Sequence, residues 1–366
     1  MKRLGNIFDQ IVSPENLFAA HKEARRNKGR YHQVIRFERH LERNIEKLRE
    51  DLISGNWHIW GYRQFYRRDS GKVRKIDWNP CYKDNVVQHA IERVAGRYLV
   101  RAGIEDTYAG IKKRGIHKGA DRMRRFLSEY TADQPIYILK MDVRKYYQSI
   151  DHDILKAQIR RKIKDKRVLE LFDKIIDSHS PGLPIGNYLS QLLANYYLTV
   201  YDRFVKDSGF RHYSRYCDDI VIIHADKDKL RDLLRETERR FAELKLEIKP
   251  NVQIYPIERS GLDYLGYVFH RDKIFIRKKG EQRYRRAARR FLKKPTEKNI
   301  RPLSSYWGWF KWLTDGDRLW HRYFDNSFKT LYANTKTGGK NHERDSERTA
   351  NVLPQRDGER GVPRDP

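Results

Sequence analysis

Two adjacent acids, Asp218 and Asp219, have the clearest chemical potential in the chain, and they precede an apolar run at 220–223. Four consecutive β-branched residues predict a buried strand. Side chains alternate along a strand, so both carboxylates can serve one site only if the backbone turns between them. Two carboxylates about 4 Å apart repel by roughly 4 kcal/mol at an effective dielectric constant of about 20. The pair therefore predicts a bound divalent cation, although Asp-Asp is also common in solvated turns.

A third acid lies at the end of another apolar stretch, where residues 136–141 lead into Asp142. Two aromatic residues, Tyr146 and Tyr147, follow it closely. Two strands that both finish in Asp would bring three carboxylates to one end of a sheet. Such a group suits two hard cations, which prefer oxygen ligands.

These segments resemble the motifs of reverse transcriptases. Residues 216–219, Tyr-Cys-Asp-Asp, resemble the Tyr-x-Asp-Asp box, and residues 142–147 resemble the first palm motif. Residues 184–191, Pro-Ile-Gly-Asn-Tyr-Leu-Ser-Gln, resemble the motif between them, which usually reads Gln-Gly-x-x-x-Ser-Pro. Here Ile185 and Gln191 replace the Gln and the Pro, the form found in diversity-generating retroelements. Order and spacing agree over about residues 60 to 320.

The resemblance implies an RNA-directed DNA polymerase that works by two-metal nucleotidyl transfer. Asp142, Asp218 and Asp219, with the backbone carbonyl of Val143, would hold two Mg²⁺ ions, for which Mn²⁺ can substitute. Catalysis would then consist of positioning and charge neutralisation. Lys249 lies near the position where the family often places a lysine able to protonate pyrophosphate, although the residues around it depart from the usual pattern.

The resemblance also implies a nucleotide pocket. Tyr147 would be the aromatic residue that excludes a ribose 2′-hydroxyl, whereas the alternative is ordinary aromatic core. Ile185, Gly186 and Gln191 would belong to the same pocket. Ile185 cannot form the hydrogen bond that Gln offers, and losing such a bond removes about 1 kcal/mol or more of discrimination. This predicts relaxed base selection, consistent with the adenine-directed mutagenesis attributed to this retroelement family.

Residues 62–76 alternate apolar and basic side chains around Asp69-Ser70-Gly71, a pattern that predicts a β-hairpin. The stretch resembles the fingers hairpin of the family. By position, Arg67 and Arg74 would hold the triphosphate of the incoming nucleotide through charge-assisted guanidinium contacts. Without the resemblance it would be an ordinary basic hairpin.

Two basic segments are candidates for nucleic-acid binding. Residues 106–120 combine glycines with basic residues, which is typical of a loop that follows phosphates, although a structural turn is the alternative. Residues 271–301 carry 14 basic and 3 acidic residues, more than a solvated helix needs. The predicted contacts are Lys112, Lys113 and Arg114 in the first segment and Lys278, Lys279, Arg285, Arg286 and Arg289 in the second.

Composition agrees with a polyanionic partner. The 366 residues carry a net charge of +29, and the pI is about 9.9. No apolar run approaches the ~20 residues that span a bilayer, so membrane is not an expected partner. Cys81 and Cys217 lack partners at metal-ligand spacing, which predicts no structural zinc and a reducing, cytoplasmic location. The resemblance implies that the cell is bacterial or phage-infected.

The predicted fold class is α+β, a right-hand polymerase fold of fingers, a palm with an antiparallel sheet, and a helical thumb. The predicted segments are a helical N-terminal extension at 1–60, fingers at 61–135, palm at 136–275 and thumb at 276–334. Residues 335–366 contain too few aliphatic side chains to form a core and are expected to be a disordered tail.

The retroelement subtype carries its own expectations. The enzyme would use dNTPs to make cDNA from a template-repeat RNA in mutagenic retrohoming, with a small basic accessory variability protein as partner. Two rival functions stay open. One is the reverse transcriptase of a retron, a group II-like element or a phage-defence system. The other is a catalytically silent nucleic-acid-binding scaffold, against which the three intact acids argue.

Overall fold

The computed structural model describes residues 3–69 and 71–324. The chain divides into two compact units, the first ending at Arg259 and the second beginning at Ser260. Helices and three antiparallel sheets make up both units, which confirms the predicted α+β class. The predicted tail at 335–366 and the end of the predicted thumb lie outside the described residues. None of the described helices is both long and apolar enough to cross a membrane.

The first unit begins with four helices: α1 (Phe8–Ile11), α2 (Pro14–Ala24), α3 (His32–Glu38) and α4 (Leu41–Ile53). The Ser13 side chain caps α2 by accepting a hydrogen bond from the Asn16 amide, and Pro14 occupies the first helical position. The apolar spacing from Phe37 to Leu52 suggests one helix, but the chain breaks after Glu38. Asn44 donates its side-chain N–H to the Phe37 carbonyl, which stabilises the break.

A two-stranded hairpin and three helices follow. Strands β1 (Arg63–Asp69) and β2 (Lys72–Trp78) pair antiparallel, as predicted. Helix α5 (Tyr82–Ile91) continues through a π-helical turn, Glu92–Gly96, into α6 (Arg97–Ala102). After the glycine-rich loop comes α7 (Ile116–Ser128), which buries its predicted apolar face at Met123, Phe126 and Leu127.

The central sheet has four antiparallel strands in the order β4-β5-β3-β6. They are β3 (Tyr137–Asp142), β4 (Tyr213–Tyr216), β5 (Asp219–His224) and β6 (Gln253–Pro256). Leu139 is opposite Ile222 and Met141 is opposite Ile220, and all four are buried in the main core. Because side chains alternate, Asp142 and Asp219 lie on the other face of the sheet.

The main core is completed by six helices and one short helix. These are α8 (Tyr146–Ser149), α9 (His152–Arg160), α10 (Lys166–Ile176), α11 (Tyr188–Tyr197), α12 (Thr199–Asp207), α13 (Lys227–Glu243) and the short α14 (Ile257–Ser260). A continuous apolar stripe predicts one helix from 187 to 204, but Leu198 separates α11 from α12. Buried residues that join these helices to the core include Leu155, Phe172, Leu193, Tyr201 and Phe241.

The second unit has its own core. Strands β7 (Leu262–Tyr264), β8 (Tyr267–Phe269) and β9 (Ile274–Ile276) form an antiparallel sheet, followed by α15 (Lys278–Lys293), α16 (Glu297–Phe310) and α17 (Gly316–His321). Aromatic rings dominate its interior, with Tyr284, Phe310 and Trp320 all buried. The predicted boundary between palm and thumb, at 275 and 276, falls at the end of this sheet.

The loop before α11 packs on the segment that follows Asp142. Gly182 has a φ of +60°, and a Cβ at this position would lie 2.2 Å from the Tyr147 carbonyl oxygen. The Leu183 amide donates to the same carbonyl at 2.8 Å. Glycine is therefore required both by the backbone conformation and by the close approach.

We expect Gly182→Ala to lower the free energy of unfolding by about 2 kcal/mol or more, because backbone must move and the φ is unfavourable for Ala. Urea unfolding followed by circular dichroism measures the change. Gly29→Ala is the matched control, since its Cβ would meet only the Arg25 guanidinium at 3.6 Å. Equal stability of the two variants would contradict the expected close packing.

Candidate active site

Strand register places the three acids at one end of the central sheet. Asp142 ends β3 directly opposite Asp219, the first residue of β5. Asp218 lies in the turn between β4 and β5, where Cys217 has a φ of +60°. The Val143 amide donates to the Asp218 carbonyl at 3.3 Å, which ties the turn to the end of β3. Asp218 thus lies in the two-residue turn, and Asp219 begins the strand that follows it.

Lys249 supplies a positive charge to these acids. Its ammonium contacts the Asp142 carboxylate and lies 3.8 Å from Asp218 Oδ2. Its own backbone amide donates to the Asp142 carbonyl at 2.8 Å, so the lysine is anchored beside the strand. Burial and the hydrogen-bonded Asp142 carboxyl raise the pKa of Asp218 to about 7. A cation in contact with both carboxylates would oppose this shift.

The donor set fits hard divalent cations. Asp142 and Asp218 offer carboxylate oxygens, which Mg²⁺ prefers, and they already converge on one cationic group. Within the described residues, no three acidic, histidine or cysteine side chains close around one point as metal ligands do. Lys249 lies where a metal would compete for the same oxygens. The predicted carbonyl ligand, Val143, is fully buried between the strand end and Ile248.

A buried ion pair supports the turn at Cys217 and Asp218. Arg215 in β4 and Asp202 in α12 are 1% and 0% exposed. The guanidinium donates to both Asp202 oxygens, at 2.7 and 2.6 Å, and its third nitrogen donates to the Cys217 carbonyl at 2.9 Å. Burial acts to lower the pKa of Arg215, but the Asp202 carboxylate outweighs it and raises the pKa. The arginine therefore stays charged and fixes the residue before Asp218.

Sequence reasoning missed this pair, although one signal was available. Arg215 is a charged residue in a short strand that leads into a buried apolar run. A buried arginine needs a partner, so its presence indicates a buried acid elsewhere in the chain. Asn195 adds two further acceptors, its side-chain oxygen at 3.2 Å and its carbonyl at 3.1 Å.

The two aromatic residues after Asp142 have different environments. Tyr146 is buried and donates its hydroxyl to the Ala194 carbonyl. Tyr147 is half-buried, and its hydroxyl lies 3.6 Å from Cys217 Sγ in the turn between β4 and β5. Burial and the neighbouring Cys217 raise the pKa of Tyr147 well above its usual value, so it remains a neutral phenol. Of the two rings, Tyr147 is thus the one beside the acids.

The predicted pocket residues contact two other segments. A Cβ at Gly186 would lie 3.0 Å from the Ile76 side chain and 3.2 Å from the Asp77 carbonyl, so the loop lies against β2. Ile185 is half-buried beside it. The Gln191 side chain instead packs on Gly110 of the basic loop, where a Cβ would lie 2.4 Å from it. Gly186 thus contacts β2, whereas Gln191 contacts the basic loop.

Arg67 and Arg74 are directly opposite each other in the hairpin, and both are exposed. Directly opposed residues share one face of an antiparallel pair, and so do residues two apart in a strand. Arg74 therefore shares its face with Ile76, which contacts Gly186. This geometry directs both arginines to the side of the hairpin that meets the predicted nucleotide pocket.

Residues 78–269, just over half of the chain, match the family described as reverse transcriptase (RNA-dependent DNA polymerase). The chain belongs to the reverse transcriptases. Its fold is accordingly the right-hand polymerase fold, and the described sheets and helices supply its α+β architecture. The family assignment makes this chain an RNA-directed DNA polymerase.

This reverse transcriptase is similar to proteins of several sources. It is 24% identical to the protein YkfC of Escherichia coli K12 over 317 residues, covering 72% of this chain and 83% of that protein. It is 26% identical over 215 residues to the group II intron-encoded protein LtrA of Lactococcus lactis, covering 54% of this chain but only 35% of the relative. The apo telomerase of Candida tropicalis, truncated from its C-terminal domain, aligns with a TM-score of 0.49 and 12% identity, covering 64% of this chain and 60% of the telomerase chain.

In the predicted template loop of this reverse transcriptase, two of the three basic residues already have partners within the protein. The Arg114 guanidinium donates to the Ile104 and Thr107 carbonyls at 2.8 and 3.1 Å, so it shapes the loop. Lys112 lies 3.5 Å from Glu23, and Lys113 is exposed. Lys113 is thus the member of the predicted trio best placed to meet a phosphate.

The basic helix of the second unit, α15, presents most of its predicted contacts to solvent. Lys278, Lys279, Arg286 and Arg289 are exposed, whereas Arg285 pairs with Glu281 at 2.7 Å. The buried residues Tyr284, Ala288 and Phe291 form the opposite face. One face of the helix is therefore core and the other is cationic, which suits a nucleic-acid backbone.

We expect Arg215→Lys to lower kcat for primer extension about tenfold or more, because Lys keeps the charge but loses the planar fork that reaches Cys217. KM for dNTP and binding of primer–template should change little. Arg235→Lys, at an exposed pair with Asp232, is the control. An unchanged kcat in Arg215→Lys would show that the Cys217 contact does not position the acids.

Proposed function

We propose that the chain copies RNA into DNA with Asp142, Asp218 and Asp219 as its metal-binding acids. The observation that carries this is the register that sets Asp142 opposite Asp219, with Asp218 in the adjoining turn. Bound Mg²⁺, or Mn²⁺ in its place, would activate the primer 3′-hydroxyl and neutralise charge on the leaving pyrophosphate. The chain itself supplies the oxygen ligands and their spacing.

The surrounding side chains have roles that follow from their charge and position. Arg67 and Arg74 would clamp the triphosphate from the hairpin, where guanidinium groups can each make two hydrogen bonds. Tyr147 would lie against the sugar and exclude a 2′-hydroxyl. Lys249 contacts Asp142 and would donate a proton to pyrophosphate as it leaves.

We expect the double variant Asp218→Asn/Asp219→Asn to lose primer extension on an RNA template with Mg²⁺, by about a thousandfold or more, because Asn cannot balance the metal charge. The control, Asp228→Asn/Asp232→Asn, makes the same chemical change at two exposed positions of α13. If Asp218→Asn/Asp219→Asn made as much extended product as the control variant, the assignment of the acids would be refuted.

We further propose that the enzyme is of the diversity-generating retroelement type. Support comes from Ile185 and Gln191, which stand where most of the family has Gln and Pro. Such an enzyme would make error-prone cDNA from a template-repeat RNA for mutagenic retrohoming, with a small basic accessory variability protein. The net charge of +29 is compatible with RNA and cDNA as partners.

Ile185→Gln should lower misincorporation opposite template adenine about tenfold, because the amide restores a polar contact in the nucleotide pocket. Sequencing of cDNA made from an adenine-containing RNA template gives the error spectrum. Ile185→Leu is the control, since it retains an apolar side chain of the same volume. If Ile185→Gln copies adenine with unchanged error, Ile185 does not set base selection.

A second candidate is the reverse transcriptase of a retron, a group II-like element or a phage-defence system. The 26% identity to the group II intron-encoded protein LtrA favours the group II-like element among these three. Accurate copying of adenine by the wild-type chain would support this candidate. A silent nucleic-acid-binding scaffold would bind primer–template and fail to extend it under every condition.

A further inference from the structure

A cavity of about 390 Å³ lies between the ends of α6 and α9 and the outer face of α12. None of the residues that line it is among those predicted to bind metal, nucleotide or template. Helix α12 separates it from the turn at Cys217 and Asp218. Asp202 of this helix binds Arg215, whereas Val200, Arg203 and Phe204, on another face of the same helix, line the cavity.

The cavity is cationic. Arg161, Lys162 and Arg203 line it, against a single acid, Asp207. Arg203 donates through Nε to the Ala102 carbonyl at 2.7 Å, and its terminal nitrogens make no hydrogen bond to the described part of the chain. Arg161 is exposed and forms no ion pair with any described residue. Both guanidinium groups can therefore bind an anionic oxygen.

One wall carries a buried polar atom that needs a donor. Gln158 is 6% exposed and donates its amide N–H to the Tyr197 carbonyl at 3.2 Å. Its Oε1 atom is buried without a hydrogen-bond partner among the described residues. A buried acceptor left unpaired is unfavourable, and Gln158 lines the cavity, so a ligand N–H that reached Oε1 would satisfy it.

The remaining wall is aromatic and aliphatic. Tyr196 and Phe204 line the cavity, and Val200, 48% exposed, lies at its open side. The Tyr196 hydroxyl already donates to the Gln158 carbonyl, and the Arg240 guanidinium lies 4.6 Å over the Phe204 ring. The rings therefore offer apolar surface to a flat ligand, with no polar group of their own left unpaired.

We propose that this cavity binds a single unpaired nucleotide of an RNA strand. Its phosphate would contact Arg161 and Arg203, a base N–H would donate to Gln158 Oε1, and the base would lie against Tyr196 and Phe204. Splayed bases held between aromatic and polar groups are the usual mode of RNA recognition. The inference rests on the proposed function for the presence of RNA, but it concerns a site apart from the acids.

The test uses the full chain pre-bound to saturating unlabelled primer–template, so that the copying groove is filled. A fluorescein-labelled 12-nucleotide single-stranded RNA that cannot pair with it is then titrated by fluorescence anisotropy. Arg161→Glu and Val200→Trp should each weaken its binding about fivefold or more, through charge reversal and through blocking the cavity. The control Lys229→Glu, on the exposed face of α13, should change binding less than about twofold.

Competition identifies the ligand. Adenosine 5′-monophosphate should displace the labelled RNA, whereas inorganic phosphate at the same concentration should not. Displacement by phosphate alone, or by a glutamate-rich peptide but not by the nucleotide, would overturn the proposal. So would an effect of Arg161→Glu without one of Val200→Trp, because that pattern reports only long-range charge.

Primer extension by the same variants separates this inference from the proposed function. Both should extend a short template at the wild-type rate, since neither residue contacts the acids or their supports. Normal extension with unchanged RNA binding would overturn the cavity proposal and leave the polymerase intact. If the wild-type chain failed to extend a primer but bound the RNA, and both variants weakened that binding, the cavity proposal would stand and the proposed function would be overturned.

Discussion

The ion pair between Arg215 and Asp202 is the interaction on which the turn at Cys217 and Asp218 depends. Both groups are excluded from solvent, where an unpaired charge would be severely unfavourable. The pair can therefore form only when α12 packs against β4 in one orientation. The same guanidinium then holds the Cys217 carbonyl, so correct packing of the core and correct placement of Asp218 are a single event.

The charges around Asp142, Asp218 and Asp219 differ in sign from the charge of the chain as a whole. The first unit concentrates negative groups at one end of a sheet and places one lysine among them, although the chain as a whole is strongly basic. The basic residues that could neutralise the acids lie instead on the hairpin and the glycine-rich loop, or are engaged elsewhere, as Arg114 is. Lys249 is thus the cation beside Asp142 and Asp218 in the described residues, and a cation from solution would compete with it.

The sequence predicts the strands that carry Asp142 and Asp219 well, because strands of this kind depend on local apolar runs. Ser13 as a helix cap is predictable for the same reason. The breaks after Glu38 and at Leu198 are not, since the apolar pattern continues across each of them. Nor can local pattern show that Arg215 pairs with Asp202, because which helix covers β4 is decided by long-range packing. The hydrogen bond from Arg114 to the Thr107 carbonyl could not be predicted from the sequence either, because it depends on the path of the loop.

Lys249 and Asp142 form an ion pair within the protein. The backbone of Lys249 is fixed by its hydrogen bond to the Asp142 carbonyl, but the four-carbon side chain of the lysine can rotate without moving the strand. If Asp142 and Asp218 hold a metal, as we propose, its binding would be an ion exchange, in which the Lys249 ammonium leaves the carboxylates. Before that exchange, Lys249 would partly neutralise the repulsion between the two acids. The displaced ammonium would stay within one side-chain length of the site, so the exchange would itself place a proton donor there.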